Sequence, residues 1–256
     1  MASDPPCFEL QPTTRFDDRA SDYARYRPSY PPEVIDAVFA GWTDPARLIV
    51  ADVGAGTGIS SRLLAERGPR VLAVEPNAAM RDAAEPHPRV TFIDASAEAT
   101  GLESASVDIV VCAQAFHWFR PQEALAEFFR VLRSPGRLAL IVNERDARDP
   151  VMREYNEAVR RASDRELSEE MRPSVERALA GAGLSATLRE FAHFQPLSRE
   201  SLPGRARSAS YVPKEGPRHD QMVLDLDALW ARRHDDSGLV HLGYRASVFL
   251  VDRSFA

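Results

Sequence analysis

The sequence predicts an α/β fold built on a doubly wound, mostly parallel sheet. Three observations carry the prediction. Short, almost wholly apolar runs alternate with segments of helical periodicity, which implies parallel strands covered on both faces. Prolines such as Pro31, Pro32, Pro121 and Pro150 punctuate the change from one segment to the next. The first apolar run also enters a glycine-rich turn that opens directly into a helix.

The elements follow in order. Leu48 to Val53 reads as a buried strand, followed by the turn Gly54-Ala55-Gly56-Thr57-Gly58 and a helix through about Arg67. Val71 to Val74 forms a second strand that leads into a short helix over 77–84, and Val90 to Ile93 forms a third. Asp108 to Ala113 and Leu138 to Val142 make the fourth and fifth. Between these two, Pro121 opens a helix with Leu125, Phe128, Phe129 and Leu132 at helical spacing, and Ser134-Pro135-Gly136 stops it. Further on, 149–162, 168–180 and 218–234 read as helices, Thr187 to Gln195 and Tyr244 to Val251 as strands, and 198–217 as an irregular Pro/Gly/Ser/Arg-rich stretch. A length of 256 residues suits one domain with insertions. Its core is expected at about 31–145, an N-terminal cover at about 13–30, and cover helices with the last two strands at about 146–256.

Composition removes several classes of function. The chain has 32 Lys and Arg against 38 Asp and Glu, a formal charge of −6, which argues against a nucleic-acid footprint. Cys7 and Cys112 are its two cysteines; neither sits in a metal-ligand spacing, and Cys112 lies inside an apolar run as a small buried hydrophobe. No metal site is expected. The first residues lack a basic segment followed by an apolar one, and no run reaches the roughly 20 apolar residues that span a bilayer. The expectation is a soluble, cytoplasmic protein, monomeric or homodimeric, with no membrane or nucleic-acid partner.

In doubly wound sheets ligands bind beyond the carboxyl ends of the strands, which directs attention to the loops after Val53, Val74, Ile93 and Ala113. The glycine turn lets the backbone pass close to a ligand. Glu75 closes the second strand 21 positions after Gly54, where an acid can accept hydrogen bonds from ribose hydroxyls. Read without a ligand, the same residues are a tight turn and an exposed glutamate. The dinucleotide fingerprint would place glycine where this chain has Ile59, so a ligand with a small carboxylate suits the turn better than a pyrophosphate.

The segment Val50 to Gly58 resembles the first motif of the class I S-adenosylmethionine-dependent methyltransferases. Val74-Glu75-Pro76-Asn77 resembles their ribose-binding element, and Ala97 to Leu102 with Ser106-Val107-Asp108 resembles their adenine-side loop and fourth strand. Ala113-Gln114-Ala115-Phe116-His117-Trp118-Phe119 is similar to small-molecule methyltransferases of the trans-aconitate methyltransferase group, as is the cover segment Tyr23 to Pro31. The likeness runs in order over about 22–143, and more loosely through Arg207 to Pro213. It implies a Rossmann-like, seven-stranded sheet with an antiparallel last strand, and S-adenosylmethionine as cofactor with S-adenosylhomocysteine as product. It further implies that Gly54, Gly56 and Gly58 cradle the methionine portion, Glu75 holds the ribose, and Met80 lies against the adenine with Ser96 and Ala97 at its edge, with Asp52, Ala55 and Ala113 also among the cofactor-binding residues. Relatives often carry an acid at the position of Ser96, which here offers only a hydroxyl.

Methyl transfer from a sulfonium is an in-line displacement, and orientation alone can supply about 7–11 kcal/mol. A carboxylate nucleophile needs only a cationic clamp, whereas a hydroxyl or protonated nitrogen gains from a nearby base. His117 is the candidate base, or else a ring that packs locally. Gln114 is placed to line the cofactor or substrate site. Trp118 and Phe119 serve equally well as packing or as a substrate wall. Tyr23, Tyr26, Arg27 and Tyr30 read as a cover over the methyl donor or as a stacked surface cap. Arg205 and Arg207 could greet an anionic substrate or remain solvated, and Tyr211 belongs to the same cover region. The function expected is methyl transfer to a small-molecule acceptor. Two alternatives stand beside it: a non-catalytic cofactor-binding scaffold or regulator, and a nicotinamide oxidoreductase, which Ile59 disfavours.

Overall fold

A computed structural model describes residues 20–163, 171–209 and 211–253. The parts of the expected cover at 13–19, 164–170, 210 and 254–256, and Cys7, lie outside the described residues. Seven strands form one sheet in the order β3-β2-β1-β4-β5-β7-β6. β1 (Ile49–Val53), β2 (Arg70–Val74), β3 (Val90–Ile93), β4 (Val107–Ala113) and β5 (Leu132–Arg145) pair in parallel, in continuous register except for one shift between β4 and β5. β7 (Val240–Arg253) runs antiparallel between β5 and β6 (Thr187–Leu197). The expected doubly wound sheet with an antiparallel last strand is observed.

Alternation along the strands explains why they read as continuous apolar runs. Ala51, Val53, Val110, Cys112, Leu138 and Leu140 face one layer, where they pack with Ala124, Leu125, Phe128 and Val131 of α5 (Pro121–Val131) and with Val175 and Leu179 of α7 (Met171–Gly181). Val50, Val71, Ile109, Val111, Ala139 and Ile141 face the other, against Val34, Ile35 and Val38 of α2 (Pro32–Phe39) and Leu64 of α3 (Ile59–Ala65). Both faces are dry, as a parallel sheet requires. Cys112 is fully buried, and burial raises its thiol pKa well above the ordinary value. A third apolar cluster joins α6 (Pro150–Ala162), α8 (Ser201–Arg207) and α9 (Pro217–Arg233) to the start of β7, through Met152, Tyr155, Leu202, Leu226 and Tyr244.

Several boundaries differ from expectation. β5 begins at Leu132 instead of Leu138 because an irregularity in its pairing with β4 lets it resume register at Arg137. The short helix α4 (Ala78–Asp82) starts later than position 77 because Asn77 is its cap, accepting the Met80 N–H at 2.9 Å. The stretch 198–217, read as irregular, contains α8. Pro203 and Gly204 lie inside that helix, and burial of Leu202 and Ala206 outweighs their low helix propensity.

Candidate functional site

β1 and β4 are neighbours, with β2 extending the sheet to one side and β5 to the other, so the winding reverses between their carboxyl ends. A crevice is expected there. The structure holds a cavity of ≈ 940 Å³ at that point, within the size range of small-molecule sites.

Its floor is the glycine turn. The Gly54 and Ala55 N–H groups both donate to the Val74 carbonyl, at 2.8 and 3.1 Å, which folds the turn back against the end of β2. Gly54 has φ 73°, and a Cβ there would lie 2.4 Å from Ala115 Cβ and 2.8 Å from the Phe119 ring. The glycine is therefore demanded by its own protein neighbours, in addition to any ligand. Glu75 is the adjoining wall. Its Oε2 accepts the Gly56 N–H at 2.9 Å and its Oε1 accepts the Asn77 N–H at 2.9 Å. Burial raises its pKa, while the bonds from Asn77 and Gly56 and the nearby Arg81 guanidinium pull the other way. Each carboxylate oxygen has a further lone pair to offer.

Met80 and Ala97, both buried, continue this wall, with Ser96 beside them. The loop that carries Ser96 and Ala97 is fixed from below, where Glu127 Oε1 accepts both the Thr100 N–H at 2.9 Å and its hydroxyl at 2.6 Å. Thr57 also lines the cavity, and its buried hydroxyl has no hydrogen-bond partner among the described residues.

The other side comes from the ends of β4 and β5. Gln114 has φ 58°, a conformation uncommon for a non-glycine residue. Its amide pairs with the Asn143 backbone in both directions: Nε2 donates to the Asn143 carbonyl and Oε1 accepts the Asn143 N–H, each at 2.8 Å. Gln114 thus lines the cavity while joining two strand ends. Ala113, Trp118 and Phe119 complete this side.

The cover is assembled from α1 (Ala20–Tyr26), α6 and α8. Tyr23, Arg27 and Tyr30 line the cavity, with the Arg27 guanidinium 4.6 Å from the centre of the Tyr23 ring. Burial raises the pKa of Tyr30 well above the ordinary phenol value, with the nearby Tyr23, Asp52 and Cys112 adding to the effect, so it remains a neutral hydroxyl. Tyr211 lines the cavity and accepts a 2.7 Å bond from Arg145 Nη2.

Five expected site residues stand elsewhere. His117 lies in the short 3-10 turn Phe116–Trp118 and is absent from the cavity wall; its ring centre is 4.8 Å from that of Trp118. Asp52 is buried beneath the glycine turn, where its Oδ2 accepts the hydroxyls of Ser60 at 2.7 Å and Ser61 at 2.6 Å. Burial raises its carboxyl pKa against the pull of those two bonds. Gly58 is backed by the Phe92 ring and does not reach the cavity. Tyr26 is packed in the seam between α1 and α8, where a Cβ on Gly204 would come within 2.5 Å of its ring. Arg207 is in the same seam, 3.9 Å from Asp22. Arg205, two residues earlier, is the arginine of α8 that lines the cavity.

Sequence reasoning missed Asn143 and Arg145, both on the cavity wall, whereas Asn77, also on it, falls in the segment that resembles a ribose-binding element. The signal for these two was available. They stand at the carboxyl end of β5, one strand beyond the loops singled out for inspection. Among the described residues no cluster of His, Cys, Asp and Glu could hold a metal ion, and no helix is long and apolar enough to cross a membrane.

Comparison with known proteins agrees with this geometry. Residues 51–140 match the family described as "Methyltransferase domain". An uncharacterized methyltransferase of Mycobacterium tuberculosis is 41% identical over 160 residues, which cover 62% of this chain and 64% of that protein. An uncharacterized methyltransferase of Schizosaccharomyces pombe is 38% identical over 128 residues, 49% of this chain and 51% of that one. The chain thus spans less than two thirds of these relatives' length. A solved structure from Anaeromyxobacter dehalogenans, provisionally named a type II methyltransferase, superposes with a TM-score of 0.60 at 26% identity, covering 90% of this chain and all of that one. Over 51–140 the chain is similar to methyltransferase domains in sequence, and the seven-stranded sheet that contains this segment has the Rossmann-like fold of its methyltransferase neighbours.

Proposed function

We propose that the chain binds S-adenosylmethionine in the ≈ 940 Å³ cavity and transfers its methyl group to a small-molecule acceptor. One observation carries this reading: Glu75 and the glycine turn, brought together by the Gly56 to Glu75 bond of 2.9 Å, form one wall of the cavity. The methyltransferase-domain match over 51–140 supports it.

The residues present fit that cofactor. Glu75 uses one lone pair of each oxygen on a backbone N–H and keeps the rest for a ribose diol. The unpartnered Thr57 hydroxyl offers a polar group at the turn for the amino-acid end. Met80 and Ala97 give the adenine an apolar wall, with Ser96 at its edge. When bound, the cofactor supplies an electrophilic methyl carbon whose bond to sulfur breaks with its electron pair passing to sulfur, leaving S-adenosylhomocysteine.

The chain's own contribution is enclosure and orientation. Tyr23, Arg27 and Tyr30 roof the site, and the Gln114 to Asn143 pairing sets the spacing of the two strand ends facing the acceptor. Among the described lining residues there is no histidine, lysine or cysteine, so His117 is not proposed as a base. Titration against S-adenosylmethionine and NAD, followed by a product screen with small acids, phenols and amines, tests the reading. It predicts saturable binding of S-adenosylmethionine and a methylated product; saturable binding of NAD alone overturns it.

A further inference from the structure

The acceptor end of the cavity carries a cation to which no described residue offers a counter-charge. Arg205, 3% exposed, lines the cavity from α8. Its Nε donates to Tyr244 Oη at 3.0 Å and its Nη1 to Ser208 Oγ at 3.3 Å, and its guanidinium carbon lies 5.8 Å from the centre of the Tyr244 ring. These partners are neutral, and among the described residues no carboxylate forms an ion pair with it. A guanidinium has five N–H donors, so most of them remain to be used. A buried charge without an opposite partner is costly unless hydrogen bonds or an incoming anion compensate it.

The surroundings add donors and few acceptors. Arg145 reaches the same region from the end of β5, donating to Asn156 Oδ1 at 3.1 Å and to Tyr211 Oη at 2.7 Å. Asn143 lines the cavity, is 4% exposed, and its Nδ2 has no hydrogen-bond partner among the described residues. Arg27, on the roof, has an unpartnered Nε. Behind them the buried Tyr155 hydroxyl also lacks a partner, and burial pushes its phenol up to about 12, so it stays protonated and able to donate. Of the lining acids, Glu157 pairs with Arg160 and Arg161, and Glu144 Oε1 accepts the Arg172 N–H at 3.2 Å.

We infer that this end of the cavity recognises an oxyanion on the acceptor, a carboxylate or phosphate held by Arg205 with Arg145 and the Asn143 amide. This rests on the reading of the cavity as a methyl-transfer site, and it selects among acceptors that the reading leaves open. Arg205 is then a specificity-determining residue. It anchors the acceptor and takes no part in bond making.

The test is direct binding to the full chain, with and without saturating S-adenosylhomocysteine. The probes are benzoate, glutarate and phenyl phosphate, with benzamide and glutaramide as uncharged counterparts. Acids are expected to bind at least about tenfold more tightly than their amides, the size of one charge-assisted hydrogen bond. Arg205→Gln should abolish that preference and Arg205→Lys should retain part of it, with S-adenosylhomocysteine affinity unchanged in both. Benzoate and glutarate against phenyl phosphate separates the two anion sources. Equal binding of acids and amides by the wild-type chain overturns the inference without recourse to any variant, as does an acid preference that survives in a folded Arg205→Gln protein. Acid preference with no S-adenosylhomocysteine binding overturns the cofactor reading and leaves the anion site standing.

Discussion

The Gly56 N–H donates to Glu75 Oε2 across 2.9 Å, tying the turn after β1 to the acid that ends β2. Two segments far apart in sequence thereby become one wall of the cavity. The carboxylate is held by backbone groups alone on both oxygens, so its position depends on the fold and not on a mobile side-chain partner.

Glu75→Ala should weaken S-adenosylmethionine binding by about 1–3 kcal/mol, the loss expected when hydroxyl partners are left unpaired. Calorimetric titration measures it. Glu75→Gln keeps the shape and should still lose affinity, because one oxygen that accepts becomes a donor. Unchanged affinity in both would remove the ribose from this position.

Gly54→Ala should cost more stability than Gly56→Ala. At 54 the new Cβ meets Ala115 Cβ at 2.4 Å, whereas at 56 it meets only the flexible end of Met80 at 3.1 Å. Both pay the strain of a left-handed backbone, and the collision adds about 1–3 kcal/mol at the first site. Thermal denaturation of the two variants gives the comparison.

Gln114→Glu should destabilise more than Gln114→Ala. The glutamate would set a carboxylate oxygen against the Asn143 carbonyl, which now accepts from Nε2 at 2.8 Å. Loss of the amide pair alone should cost about 1–2 kcal/mol and raise the acceptor KM, since Asn143 lines the cavity. Denaturant titration and steady-state kinetics on the same preparations check both parts.

His117→Ala should leave kcat within about twofold of the wild-type chain, well short of the roughly 100-fold loss a general base would show. The ring packs beside Trp118 and is absent from the cavity wall. A large fall in kcat with unchanged KM would return His117 to the chemistry.

Acid stability should depend on Glu127. Arg130, with Thr100 assisting, holds its carboxyl at about 2, below the 4.5 of an ordinary glutamate. Stability from this depressed value is fully present above the unfolded pKa and is lost as pH falls from 4.5 toward about 2. Burial raises Asp52 and Glu75, which act with the opposite sign, so the difference between wild type and Glu127→Gln isolates the effect. Melting temperatures of the two proteins should converge as the pH is lowered.

How far the sequence could be read depended on whether local periodicity sets the answer. The strands, the glycine turn and Glu75 were legible because an apolar run fixes where a strand ends, and a strand end fixes where the next residue sits. His117 was not. In a 3-10 turn adjacent residues point about 120° apart, so the order His117-Trp118 does not reveal which of them faces the cavity. Arg205 and Arg207 posed the same problem on a helix, where a step of two residues turns about 200°. With Pro203 and Gly204 masking the helix, nothing local distinguished the buried arginine from the one at the seam. Asn143 and Arg145 were missed for a different reason: the fifth strand was read as ending at Val142, so the carboxyl end of β5 was left out of the loops inspected, although β5 runs on to Arg145 and the Gln114 amide pairs with Asn143 across 29 residues.

The most direct test is a crystal structure of the chain grown with S-adenosylhomocysteine. The account predicts the ribose hydroxyls within hydrogen-bond distance of Glu75, the adenine between Met80 and Ala97, and the sulfur facing Arg205 and Asn143 across open space. Density for the compound away from the turn after β1, in crystals that otherwise preserve this cavity, would contradict it.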